Sequence, residues 1–173
     1  MKFHLSVLAL SWLTIGISLH AQDTVPPGVP QPQPLPSVKP ETDGRVWGAL
    51  IFATNEAAQL TGAQEKAATG LPNLNERLAK VFKYKHFEIL GQHHQDIFRE
   101  YESWVVPSRD LFMKIDSKGP ADQGGVKLHL QVWREQQVLV KSDAVLRSSS
   151  PLFIGGPAWK DGRLIFVLSL EKK

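Results

Sequence analysis

Apolar and polar positions alternate strictly along "GGVKLHLQVWRE": Val126, Leu128, Leu130 and Val132 fall on one side of an extended chain, and Lys127, His129, Gln131 and Trp133 on the other. A period of two with one dry side marks a half-buried strand. "QQVLVKSDAVLR" comes next through a tight connection near Glu135 to Gln137 and reads as its antiparallel neighbour. "RVWGALIFAT" and "RLIFVLSL" differ, being apolar at both alternating sets, which suits strands covered on both faces. The first is therefore placed centrally. "HFEILGQ", "DIFREYESWVV" and "RDLFMKID" supply shorter alternating candidates.

One segment switches period. In "NLNERLAKVFKYK", Leu74, Leu78, Val81 and Phe82 recur at the spacing of a helical face, while Glu76, Arg77, Lys80 and Lys83 take the other. Asn73 is in place to cap this helix, with Glu76 three residues on. The segment before it, "NEAAQLTGAQEKAATGLP", is small and polar with Gly62 and Gly70 as breakers, and reads as a loop with helical turns. The expected fold class is α+β: a mostly antiparallel sheet of six or seven strands packed against one main helix, about residues 74–84. Short connections between strands favour antiparallel neighbours.

"SPLFIGGPAWKDGRLIFVLSL" places Gly155, Gly156 and Pro157 between two strongly apolar runs. A phosphate-cradling loop needs its glycines between a strand and a helix start. In this chain they lead instead to an Asp161-Gly162 turn and another strand, so the doubled glycine is read as the start of a strand connection in which glycine supplies positive φ and proline ends pairing.

Composition then sets the compartment. Met1 to Ala21 has a charged start at Lys2, an apolar run from Leu5 to Leu19 and a small residue at Ala21, the pattern of a secretory signal rather than a membrane span. Seven of the twelve prolines lie in residues 26–40, so residues 22–43 are read as a polyproline II spacer. The expected organisation is a signal peptide over 1–21, the Pro-rich linker over 22–43, and a single α+β domain over 44–173. Loss of residues 1–21 removes one basic side chain and leaves 19 basic against 17 acidic, a net charge of about +2. No cationic run exceeds the terminal Lys172-Lys173, which argues against a nucleic-acid surface. The absence of cysteine excludes disulfides, thiolate metal sites and a cysteine nucleophile.

Candidate chemistry is sparse. His86, His93, His94 and Asp96 concentrate imidazole and carboxylate, the donor set of a zinc-type site. Adjacent His93 and His94 on a strand would nevertheless point to opposite faces, so solvated histidines are the primary reading and a metal site the alternative. No "GxSxG" elbow accompanies Ser148, Ser149 and Ser150. The better lead is aromatic: Trp133 on the polar side of its strand, Trp159 after Pro157, and Trp104 in "YESWVV" are candidate ligand-binding residues, because flat indoles stack on sugars or anchor protein partners.

The ordered series "VWGALIFATNE", "LNERLAKVFKYKHFEILGQ" and "PLFIGGPAWKDGRLIFVL" resembles a loosely defined, functionally uncharacterised group of small exported bacterial proteins. The resemblance implies a helix leading into a strand and a closing pair of strands around a glycine-containing turn. It carries no catalytic residues. Together these readings lead to an expectation of a non-catalytic, exported binding or assembly module of the bacterial cell envelope, periplasmic or extracellular, with no cofactor and no membrane span after signal cleavage. Its expected partner is an envelope protein or polysaccharide. The alternative is a small secreted, metal-assisted hydrolase.

Overall fold

A computed structural model describes residues 41–63 and 67–171. The expected signal peptide and nearly all of the Pro-rich linker lie outside the described residues. Among the described residues, eight strands and one α-helix succeed one another in chain order: β1 (Thr42–Thr54), α1 (Leu74–Val81), β2 (His86–Phe98), β3 (Ser103–Val105), β4 (Leu111–Pro120), β5 (Val126–Arg134), β6 (Gln137–Leu146), β7 (Leu152–Trp159) and β8 (Gly162–Leu170). A 3-10 turn, Ala57–Gln59, lies between β1 and α1. β1 starts at Thr42, so Thr42 and Asp43 belong to the strand and not to the spacer.

The strands form two sheets, ordered β2-β1-β8-β7 and β3-β4-β5-β6, and every pairing is antiparallel. The α+β class and the single helix stand. The expected single sheet of six or seven strands is corrected to eight strands in two sheets. The reason lies in the alternation itself. Strands β4 and β5 have only one dry side, whereas β1 and β8 are buried along almost their whole length. A strand dry on both faces needs a cover on each, and here those covers are a second sheet on one side and α1 on the other.

Two apolar cores result. Between the sheets, Val46, Leu50, Phe52, Leu164, Phe166 and Leu168 meet Leu111, Met113, Ile115 and the dry side of β5, Val126, Leu128, Leu130 and Val132. On the opposite face of the first sheet, Trp47, Ala49, Ile51, Ile165 and Val167 are covered by Leu71, Leu74 and Leu78. Each fully buried aliphatic side chain contributes about 1.5–3 kcal/mol of transfer free energy. Helix α1, only eight residues long, is stable through this packing rather than through propensity.

Three local expectations change. Helix α1 ends at Val81, because Phe82 is extended at φ −115° and packs against the second core while Val81 is left 57% exposed. Asn73 does not cap with its side chain; it adopts a left-handed backbone at φ 54°, whereas a side-chain cap requires extended dihedrals. "HFEILGQ" and the first residues of "DIFREYESWVV" are one strand, β2, which continues through Gly91 with a bulge at Leu90. Gly91 is not a breaker there: a Cβ at that position would lie 1.9 Å from the Pro107 carbonyl oxygen, so glycine is what lets β2 and the segment before β4 touch.

Gly155-Gly156-Pro157 is likewise part of a strand rather than the start of a connection. The register of β7 on β8 jumps between Gly155 and Ala158, a bulge at the unpaired margin of the sheet, where the missing proline N–H leaves no ladder position empty. Neither glycine has positive φ. Gly156 is required for close approach, since a Cβ would come within 2.9 Å of the Leu164 carbonyl oxygen. The left-handed residue of the β7–β8 turn is Lys160, at φ 49°. No helix succeeds the glycines, and among the described residues no helix is long and apolar enough to cross a membrane.

Candidate functional site

The outward side of β3-β4-β5-β6 has no helix or strand over it among the described residues. Cross-strand register fixes what that face presents. Trp104, Lys114, Gln131 and Lys141 lie opposite one another in one row, Phe112, Trp133 and Val138 in the next, and Asp116, His129 and Asp143 in a third. Directly opposed side chains on one face are within reach of each other. Three of them are aromatic.

These rings form a cluster. The Trp104 centroid is 5.5 Å from that of Phe112 and 6.3 Å from that of Trp133, at interplanar angles of 58° and 57°. Phe112 and Trp133 are nearly parallel, at 8° and 6.5 Å. All three side chains are half-buried, so ring surface remains open to a ligand. The indole Nε1 of Trp133 is buried and has no hydrogen-bond partner among the described residues. An orphaned buried donor is a destabilising feature that a folded chain usually avoids.

Polar groups surround the rings. The Lys114 ammonium is bound to Glu102 and lies 3.6 Å from Asp116; the hydrogen bond from Lys114 to Glu102 is the main reason its pKa is raised. His129 Nδ1 is 2.8 Å from Asp143. Nothing among the described residues pairs with the side-chain amide of Gln131, which stands one alternation along β5 from Trp133. The face therefore offers apolar ring surface beside an amide with both donor and acceptor unspent.

Trp159 is elsewhere. It ends β7, meets Phe52 edge-on at 4.7 Å and 83°, and carries the Lys160 ammonium 4.8 Å above its ring. It packs against the core between the sheets and lines a cavity of about 430 Å³ with Leu50, Leu90, Asp110, Arg134 and Leu164. Of the three candidate tryptophans, the structure brings Trp104 and Trp133 together and sets Trp159 apart. Phe112 and Gln131 complete the cluster and were not singled out in the sequence. The signal for Phe112 was an aromatic residue on the polar set of "LFMKID".

His86, His93, His94 and Asp96 all lie on β2, and each is engaged locally or set apart by the pleat. His86 pairs with Thr54 at one end of the strand and Asp96 with Arg45 near the other. His93 Nδ1 accepts from the Val106 amide at 3.2 Å. His94 contacts Glu171 through Nδ1 at 2.8 Å and the Thr69 hydroxyl through Nε2 at 3.1 Å, and Arg45 closes that cluster 3.2 Å from Glu171. Among the described residues no three His, Asp or Glu side chains converge as a metal site would require. Ser148, Ser149 and Ser150 form an exposed bend closed by a bridge from Arg147 to Ser150.

Glu88, also on β2, binds the loop above it. It accepts hydrogen bonds from the Thr61 amide at 2.7 Å, the Thr61 hydroxyl at 2.9 Å and the Ala63 amide at 2.8 Å. Desolvation pushes its pKa up, but these bonds to the ionised form outweigh it and the net position is below the ordinary value.

Comparison with protein-family models, with curated proteins and with solved structures found no match.

Proposed function

We propose that the protein is a non-catalytic, exported binding module of the bacterial cell envelope that holds a glycan chain on the outer face of β3-β4-β5-β6, with the Pro-rich segment as its tether. The observation that carries this reading is the cluster of Trp104, Phe112 and Trp133 on an uncovered sheet face. Sugar rings present C–H faces that stack on indoles, and their hydroxyls need paired donors and acceptors of the kind the free Gln131 amide supplies. Lysines at 114, 118, 127 and 141 against acids at 102, 116 and 143 give this face a small positive excess, which suits neutral or weakly anionic glycans. Export and tethering rest on the signal-like and Pro-rich segments, and on the resemblance to small exported bacterial proteins. The hydrolase alternative draws no comparable support, since His86, His93, His94 and Asp96 are dispersed along β2.

Titration of the purified chain with soluble fragments of envelope polysaccharide, followed by tryptophan fluorescence and calorimetry, tests the proposal. Trp104→Ala with Trp133→Ala is expected to weaken binding by roughly tenfold or more, the effect of losing anchoring aromatic side chains. Trp159→Ala is the control and should leave affinity within about twofold. Equal affinity of the double variant and the parent chain would remove the basis for the reading.

A further inference from the structure

The two sheets end in four margins, and three are protected. The β2 margin lies beside the loop that Glu88 and Gln92 bind, β3 is only three residues long, and β7 carries Pro157 and a bulge. Strand β6 is different: ten residues without glycine or proline, bulged only at Leu139 near its start and regular in its pairing from Val140 to Leu146, joined on one side to β5 and on the other to nothing among the described residues. Such an edge presents an unpaired row of backbone donors and acceptors.

We infer that β6 pairs antiparallel with β6 of a second copy of this chain, across a two-fold axis at Ser142. The charges on β6 specify both the occupant and the register. Lys141 and Asp143 flank Ser142, both are exposed, and their rows lie on the outer face. With Ser142 opposite Ser142 of the second copy, Lys141 of each copy lies opposite Asp143 of the other, and Val140 lies opposite Ala144. Moving the axis to Lys141 puts two ammonium groups face to face, and moving it to Asp143 does the same with two carboxylates. The strand is therefore self-complementary in one register and self-repelling in the adjacent ones. An isologous contact of this kind closes after two copies and leaves no further edge of the same type.

The pairing produces one continuous eight-stranded sheet ordered β3-β4-β5-β6-β6-β5-β4-β3. Because the axis is perpendicular to the sheet, both clusters of Trp104, Phe112 and Trp133 face the same way, roughly 25–30 Å apart at ordinary strand spacings. Two weak sites on one polymer then act together.

Sedimentation equilibrium of the purified full chain over a concentration series tests this directly. A dimer is expected in the parent chain, weakened by roughly tenfold or more in Lys141→Asp and in Asp143→Lys, and restored in the double exchange, where opposite charges again face each other. The chain has no cysteine, so Ser142→Cys provides a second readout: mild oxidation should give a disulfide-linked dimer, while Lys127→Cys on β5 should not. A parent chain that remains monomeric at about 100 μM, single exchanges that dimerise as the parent does, or a double exchange that stays monomeric would each overturn the inference. So would equal cross-linking of the two cysteine variants.

Discussion

Two tryptophans in this chain stand in opposite hydrogen-bonding situations, and replacing each with phenylalanine should separate packing from polar satisfaction. Trp47 is fully buried, and its Nε1 donates to Gln92 Oε1 at 2.8 Å. Trp47→Phe removes that bond, worth about 1 kcal/mol. It also strips away part of a buried ring and leaves a void, adding roughly 1–3 kcal/mol. The expected loss is about 2–4 kcal/mol. Trp133 is half-buried, and its Nε1 is buried without a partner among the described residues. Trp133→Phe gives up less ring burial, roughly 0.5–1 kcal/mol, and removes an orphaned donor whose presence is unfavourable by about 1–3 kcal/mol. The net change should fall between neutral and about 2.5 kcal/mol of stabilisation. Urea unfolding monitored by far-UV circular dichroism, which does not depend on the indole being replaced, measures both. If Trp133→Phe destabilises the domain as much as Trp47→Phe, the Trp133 N–H is not orphaned, and the reasoning about that ring is wrong.

Two further predictions rest on single contacts. Gly91→Ala drives a Cβ into the Pro107 carbonyl, and because backbone cannot rotate away as a side chain can, the variant should lose at least about 2 kcal/mol or fail to accumulate as folded protein, read as a lowered urea midpoint. The Glu88 pKa is depressed in the folded chain, so its contribution is complete above the ordinary Glu value and is lost as pH falls through the folded value; the protection of the Thr61 and Ala63 amides against exchange, relative to their intrinsic rates, should therefore drop as pH falls below the ordinary Glu range, and Glu88→Gln should remove that pH step.

Strands that carry their own burial signature could be read from the sequence. Strand β5 showed its dry side at Val126, Leu128, Leu130 and Val132, and all four are core residues; β1 showed two dry sides, and both are buried. What alternation cannot express is which strands are neighbours, and the two-sheet arrangement depends on that. β2 was hidden because Gly91 and the polar pair His93-His94 interrupt its alternation, and their places are set from distant parts of the chain: Gly91 by Pro107, His93 by Val106, and His94 by Thr69 and Glu171. The same limit applies to the site. Alternation placed Trp133 on the outer side of its strand, but only the register of β3 on β4 and β4 on β5 unites it with Trp104 and Phe112, and only the β7–β8 turn sends Trp159 to Phe52. Asn73 misled for a local reason: its residue type suits a cap, but its backbone takes the left-handed conformation that asparagine also tolerates.

The position of β1 bears on how the domain withstands mechanical load. A pull applied at Glu41 would act along β1, which is paired from Thr42 to Thr54 with β2 and from Val46 to Ala53 with β8. Because antiparallel ladder bonds run perpendicular to the strand, such a pull shears both ladders together instead of peeling them open bond by bond. Under the glycan-binding proposal, tension between a tether at that end and a ligand on the far sheet would meet the most thoroughly buried strand of the domain.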